Sequence, residues 1–96
     1  MESIGIVEVV GVVAAVEALD AMSKASNVSF TTSEKKLGGR LVTVIVKGNV
    51  DDVTAAVEVG IAAANRVTSC VASAVIARPH EEVLALIEKS GIKYNR

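Results

Sequence analysis

Aromatic side chains are almost absent from this chain of 96 residues, which contains one phenylalanine, one tyrosine and no tryptophan. Proteins that bind single-stranded nucleic acid stack the bases on aromatic rings, and proteins that bind duplexes present clustered basic residues. Here 10 Lys and Arg are offset by 11 Asp and Glu, and the net charge is −1. These features argue against a nucleic-acid-binding protein.

Cysteine and long apolar runs are also scarce. Cys70 is the only cysteine, so no disulfide can form within the chain, which is compatible with a reducing cytosol. Every apolar run is far shorter than a membrane span. The chain opens with Met1-Glu2-Ser3, without a basic region before an apolar stretch. We therefore expect neither a signal peptide nor a membrane segment.

Motifs that bind nucleotides or metal ions are missing as well. The sequence contains no Walker motif, no Gly-x-Gly-x-x-Gly, no His-Glu-x-x-His and no pair of carboxylates at a usable spacing. The single histidine, His80, follows Pro79 at a predicted helix start and has no catalytic or metal-binding partner at a recognisable spacing. We predict that the chain is not an enzyme and needs no metal ion or cofactor.

Hydrophobic residues, by contrast, make up 51% of the chain and are mostly valine, alanine and isoleucine. A chain of this length forms one domain with a limited interior. The composition therefore indicates either a compact Ala/Val core or apolar surface that neighbouring subunits cover. We predict a single domain over residues 1–96, with its core at about residues 3–88 and a loose tail at 89–96.

The periodicity of the apolar residues predicts strands and helices in the order β-α-β-β-α-β-α. The strands are predicted at 3–10, 27–36, 41–46 and 70–77. The helices are predicted at 12–25, from the Asn49 cap to about 67, and from Pro79 to Gly91. The fold class is α/β (α+β): a ferredoxin-like β-α-β-β-α-β domain with a four-stranded antiparallel sheet, plus a short C-terminal helix. The helices cover one face, and terminal segments or another subunit must cover the other.

The sequence makes more specific predictions about the first two helices. The polar face of the first helix holds charged residues spaced three and four apart: Glu17, Asp20 and Lys24. Asp20 and Lys24 have the spacing of a favourable ion pair. The apolar face of the same helix is predicted to include Val12, Val16 and Leu19. Gly60 interrupts the second helix at a cost of about 1 kcal/mol relative to alanine, so we expect a packing reason for it.

Five segments of the chain carry a family resemblance. They are Ile4–Glu8, Glu17–Ala25 with its Asp-Ala-Met-x-Lys signature, Glu34–Val50, Ala62–Val67, and Ile76–His80 with its Arg-Pro-His signature. In this order they resemble the bacterial microcompartment shell domain (BMC domain) of the hexamer-forming class, from Ser3 to about Leu86. The first strand continues Val9-Val10-Gly11 where the family usually has Thr-Lys-Gly.

The resemblance implies a structural protein that forms a cyclic hexamer. Hexamers of this kind tile the facets of a microcompartment shell in the cytoplasm, and a central pore passes small polar metabolites. The implied partners are further copies of the chain, other shell proteins and encapsulated enzymes, with no nucleic acid and no membrane. Several pathways share this tile, so the resemblance does not select one. The order of elements leaves open an alternative, a ferredoxin-like regulator that binds a small molecule.

The resemblance also implies roles for individual residues. The pore would be lined by Lys36, Leu37, Gly38, Gly39 and Arg40, and the hexamer edge would carry Lys24, Arg78 and His80. Glycines in a pore expose backbone N–H groups that replace water around a polar solute. The family often has Gly-Ser-Gly here, and loss of the serine should change the solute preference. Arg40 either makes one pore mouth positive, favouring anions, or points into a subunit interface, and Lys36 has the same two alternatives.

Overall fold

The computed structural model describes residues 2–25, 27–35, 40–83 and 85. In chain order its elements are β1 (Ser3–Val10), α1 (Val12–Ala25), β2 (Ser29–Lys35), β3 (Leu41–Gly48), α2 (Val50–Val67) and β4 (Cys70–Ile76). The predicted order of the first six elements is confirmed, β1 and α1 have the predicted bounds, and the other ends differ by at most two residues. Most of the predicted C-terminal helix lies outside the described residues, although 81–83 form a helical turn.

The strands form one antiparallel sheet with the order β2-β3-β1-β4. β1 and β3 are the two central strands, and their register places Val7 opposite Val44 and Val9 opposite Val42. These β-branched side chains suit a pleated, buried surface. The strand predicted at 41–46 is thus a central strand of the sheet.

Both helices pack on the same face of this sheet and against each other. α2 lies over β1 and β4, whereas α1 lies towards β3 and reaches β2. The core between the helices and the sheet is built of valine and alanine, together with Met22, which is fully buried. This is the compact Ala/Val core that the composition allows.

Two glycines permit the close approach of these layers. A Cβ atom at Gly60 of α2 would lie 2.6 Å from Sδ of Met22 on α1, which confirms the predicted packing reason for a glycine in this helix. A Cβ atom at Gly5 of β1 would lie 2.6 Å from Cγ2 of Val57 and 2.8 Å from Cγ1 of Val53. Both distances are shorter than a Cβ atom can accept without a shift of its neighbours, so each glycine leaves room for a side chain of the facing helix.

Val12 and Val16, two members of the predicted apolar face of α1, do not face the core. These side chains are 49% and 57% exposed, and only Leu19 of the predicted set packs against the core. The buried face consists instead of Ala14, Ala15, Ala18 and Met22. The reason is the short distance between the layers: three of the four inward positions must be alanine, so the larger valines point outward.

The N-terminus of α2 is capped as predicted. Oδ1 of Asn49 accepts a hydrogen bond of 2.9 Å from the backbone N–H of Asp52, and Nδ2 of Asn49 donates to Oδ2 of Asp52 at 2.8 Å. The first of these bonds satisfies one of the N–H groups that have no partner within the helix.

The substitution Asn49→Ala is expected to lower the free energy of unfolding by about 1 kcal/mol because it removes this cap. Urea denaturation at a single protein concentration measures the change. Asn49→Ser is the matched control, since serine caps helices about as well as asparagine. Equal stability of the alanine and serine variants would contradict the assigned role of the cap.

Candidate functional site

The candidate site residues that the structure describes lie at two opposite ends of the sheet. One end, here called the Arg40 end, contains the end of β1, Arg40 and the residues between α2 and β4. The N–H of Gly11 donates to the carbonyl oxygen of Arg40 at 2.6 Å, and Oγ1 of Thr68 donates to the carbonyl oxygen of Val10 at 2.6 Å. The N–H of Val10 also donates to the carbonyl oxygen of Ser69 at 3.0 Å. These bonds join the segment between β1 and α1 to Arg40, just before β3, and to Thr68 and Ser69, between α2 and β4.

Arg40 is the one predicted pore residue that falls among the described residues. Lys36, Leu37, Gly38 and Gly39 lie outside them. The Arg40 side chain is exposed, while its backbone is held by Gly11. Gly11 has a φ of 91°, which favours glycine over residues that carry a Cβ atom. The backbone that follows the predicted glycine turn is therefore anchored to the start of α1.

The second end, here called the Arg78 end, contains the start of β1, the start of α2 and the residues after β4. Ser3 is buried, and its Oγ donates to the carbonyl oxygen of Ala77 at 2.7 Å. This bond fixes the backbone immediately before Arg78, whose side chain is exposed. Next to it lies an open cleft of about 260 Å³, lined by Ser3, Asn49, Val50, Ala77 and Arg78.

Lys24 lies at the C-terminus of α1, towards the Arg78 end. α1 begins beside Arg40 and runs back along the sheet. The residues after α1 lie beside Gly48, since a Cβ atom at Gly48 would be 3.1 Å from the Asn27 carbonyl oxygen. A lysine in the last turn of a helix also interacts favourably with the helix dipole. Lys24 and Arg78 are therefore brought to the same end of the sheet, as their predicted common role requires.

The predicted ion pair of Lys24 is present. Its Nζ lies 2.9 Å from Oδ2 of Asp20, and the two side chains are 76% and 55% exposed. The hydrogen bond to Asp20, followed by the charge of that carboxylate, raises the pKa of Lys24 above its ordinary value, and Glu17 adds to the shift. Lys24 therefore stays charged throughout the neutral range. Exposed pairs of this kind contribute little to stability, so the pair matters mainly for where the ammonium group lies.

His80 begins the helical turn at 81–83. Its Nδ1 accepts a hydrogen bond of 3.1 Å from the N–H of Glu82, and its carbonyl oxygen accepts one of 2.9 Å from the N–H of Val83. The imidazole thus acts as a helix cap, which is a structural role. Its predicted position at a hexamer edge stays a prediction.

Neither a metal-binding cluster nor a membrane-spanning helix is present in the described part of the chain. No group of three or more His, Cys, Asp or Glu residues there could hold a metal ion. None of the described helices is long and apolar enough to span a bilayer. The thiol of Cys70 donates to the carbonyl oxygen of Ala72 at 3.4 Å, which is a local contact.

The sequence reasoning missed Ser3 and Gly11, which position the two ends. Ser3 bonds to a residue 74 positions away, and a contact that distant leaves no pattern in the sequence. Gly11 directly follows the first strand predicted at 3–10, and its positive φ is consistent with the end of that strand. Its hydrogen bond to Arg40 had no sequence signal.

Comparisons with known proteins find similarity that includes both the Arg40 end and the Arg78 end of this chain. Residues 3–79 match the model of the BMC domain family. The bacterial microcompartment shell protein PduA of Citrobacter freundii is 48% identical over 88 residues, which are 92% of this chain and 94% of that protein. The carboxysome shell protein CcmK2 of Synechocystis sp. is 47% identical over 84% of this chain and 80% of that protein.

A solved structure is similar too. The crystal structure of a microcompartment protein from Desulfitobacterium hafniense superposes with a TM-score of 0.82 at 31% identity. The match covers 93% of this chain and 48% of that protein, so the chain spans about half its length. The segments that contain Lys24, Arg40 and Arg78 all fall within the family match.

Proposed function

The chain belongs to the BMC domain family and is a shell protein of a bacterial microcompartment, and from this premise we propose that it forms cyclic hexamers that tile the shell around central pores. The relatives favour this function over the ligand-binding regulator that the order of elements left open. Further copies of the chain, other shell proteins and the encapsulated enzymes are the proposed partners.

The separation of the two ends is the observation that supports a ring. β1 has 8 residues, and at about 3.3 Å per residue it separates the Arg40 end from the Arg78 end by about 26 Å. The longest dimension of the chain is 33 Å. A wedge in a ring must present one end to the axis and the other to the rim. The glycine turn predicted before Arg40 would then meet the axis, while Lys24 and Arg78 would reach the rim.

At the axis, the proposed pore passes small polar metabolites. Six copies of Gly38-Gly39 would bring backbone N–H groups to the solute, where they replace some of its hydration. The hydrogen bond from Gly11 holds the Arg40 backbone next to this turn. The exposed guanidinium groups would add positive charge, either at the pore mouth or between neighbouring subunits.

At the rim, the proposed contact between hexamers uses Lys24, Arg78 and His80. A lysine can pack its methylene stem on the neighbour and donate from its ammonium group to carbonyl oxygens. An arginine donates from a rigid fork, which suits a contact with fixed geometry. The cap formed by His80 and the bond from Ser3 to Ala77 hold the backbone on both sides of Arg78.

Lys24→Ala tests the assignment of the rim. The variant is expected to keep the native mass of the wild-type protein, six times the 9.9 kDa of one chain, because Lys24 is exposed and its ion pair is local. It should form far fewer extended sheets of hexamers because the rim contact is lost. Native mass spectrometry and negative-stain electron microscopy measure the two effects.

The control for this experiment is Glu58→Ala, which removes an exposed charge from α2. It should change neither the mass nor the sheets. Sheets that persist undiminished in Lys24→Ala would rule out the rim assignment. A wild-type mass of one, two or three chains would rule out the hexamer.

A further inference from the structure

The helical turn after Pro79 is capped by the single histidine of the chain. Nδ1 of His80 accepts a hydrogen bond of 3.1 Å from the backbone N–H of Glu82. A backbone N–H group can only donate, so Nδ1 carries no proton while this bond exists. The cap therefore requires a neutral imidazole ring with its proton on Nε2.

Protonation of the ring removes the cap. It turns Nδ1 from an acceptor into a donor, so that two donors face each other and the Glu82 N–H loses its partner. This N–H belongs to the first turn of a helix, where N–H groups have no acceptor within the helix. The cap at His80 thus differs from the cap at Asn49, whose amide oxygen accepts at any ordinary pH.

The other charged groups near His80 belong to types that keep their charge where imidazole titrates. Arg78, Glu81 and Glu82 flank it in the chain. Other segments bring further charged residues of the described chain to the Arg78 end: Glu2, Lys24, Lys47, Asp51 and Asp52. Between about pH 5.5 and pH 8, imidazole changes charge, whereas carboxylate, ammonium and guanidinium groups do not. A change at this end over that range is therefore assigned to His80.

The cap is one of two contacts that hold the segment containing Arg78. Before Arg78, the carbonyl oxygen of Ala77 accepts the hydrogen bond from Oγ of the buried Ser3 at 2.7 Å, and a serine hydroxyl does not titrate in this range. After Arg78, the His80 cap holds the backbone. The Arg78 side chain is exposed, so its position depends on these two backbone contacts.

We propose that His80 is a pH-sensitive positioning residue, which supports the contact between hexamers while its imidazole is neutral and weakens that contact when it is protonated. The proposal rests on the proposed rim and adds its regulation. The neutral ring caps the turn and holds the backbone after Arg78, and the protonated ring releases it. The contact is therefore complete above the titration range of the imidazole and is lost as the pH falls through that range.

Sheet formation by purified hexamers at about pH 8 and about pH 5.5 tests the proposal. At the lower pH the wild-type protein should need a concentration at least about fivefold higher to form sheets, which is the change in an equilibrium constant expected for one lost helix cap. Sedimentation and negative-stain electron microscopy measure the sheets, and native mass spectrometry should give the mass of six chains at both pH values. Sheets that form equally well at both values, or hexamers that dissociate at the lower one, would overturn the proposal.

Two substitutions of His80 separate its titration from that of other groups. His80→Asn places an acceptor, Oδ1, on Cγ as Nδ1 is in histidine, and asparagine caps helices well without titrating. This variant should form sheets equally at both pH values. His80→Ala has no acceptor and should need the higher concentration at both. The proposal is wrong if His80→Asn keeps the wild-type pH dependence or forms no sheets, or if His80→Ala matches the wild type at the higher pH.

The cap is also observed directly in hexamers kept below the concentration at which sheets form. In ¹H–¹⁵N NMR spectra, the backbone amide of Glu82 should shift together with the titration of the imidazole, because the hydrogen bond is lost. An amide signal that stays unchanged while the ring titrates would overturn the role of this bond. A wild-type protein that is not hexameric, or hexamers that form no sheets even at the higher pH, would contradict the proposed function instead.

Discussion

Replacing Met22 with alanine is expected to lower the free energy of unfolding by about 2–5 kcal/mol. Met22 is fully buried in the core between α1, α2 and the sheet. Its truncation loses the transfer free energy of the removed atoms and leaves a cavity that the tightly packed helices cannot close. A domain of this size is stable by only about 5–15 kcal/mol, so the loss is a large share of the total. Urea denaturation at constant protein concentration measures it.

The double variant Met22→Ala with Gly60→Ala is the control for this result. In the wild-type protein a Cβ atom at Gly60 would lie 2.6 Å from Sδ of Met22, so Gly60→Ala alone should destabilise by about 1–3 kcal/mol. Once Met22 is truncated, the same alanine fills part of the cavity and gains about 1 kcal/mol of helix propensity. The effect of Gly60→Ala should therefore change sign. An unchanged effect in the double-mutant cycle would show that the two residues do not share this space.

Gly5→Ala is expected to destabilise the protein by about 3 kcal/mol, near the upper end of the usual cost of overpacking. The added Cβ atom would approach the methyl groups of Val57 and Val53 at 2.6 Å and 2.8 Å. Valine side chains are stiff about χ1 and cannot bend away as methionine can. For a domain of this size, each kcal/mol shifts Tm by about 4–8 °C, so calorimetry should show a large decrease.

A compensating substitution gives this prediction its control. Val57→Ala removes the nearest methyl group, and by itself it should destabilise the protein because it leaves a cavity. The double variant Gly5→Ala with Val57→Ala should be destabilised by much less than the sum of the two single effects. The reason is that the Cβ atom added at Gly5 fills the volume that Val57→Ala vacates. Additive effects would contradict the proposed clash.

The parts of the fold that could be predicted depend on local patterns. The cap at Asn49 and the ion pair between Asp20 and Lys24 involve residues three or four positions apart, and both are present. The side of α1 that faces the core could not be predicted from the spacing of its apolar residues, because it depends on a distant residue. Gly60 lets α1 approach so closely that alanines must face inward, and nothing in the sequence of α1 itself indicates this.

The candidate site, too, could be predicted only where it depends on local patterns in the sequence. The segments that contain Lys24, Arg40 and Arg78 could be identified from short motifs, since each motif is contiguous in the chain. The contacts that position them could not, because Ser3 and Ala77 are far apart in sequence, as are Gly11 and Arg40.

The distance between the Arg40 end and the Arg78 end has an evolutionary consequence. Residues about 26 Å apart, on opposite ends of a rigid strand, share no direct neighbours. Mutations at one end should therefore act additively with mutations at the other. In the proposed shell tile, the pore residues would be free to diversify after gene duplication while the contact at the rim is retained. Paralogues with different proposed pores would then still fit side by side in a single facet.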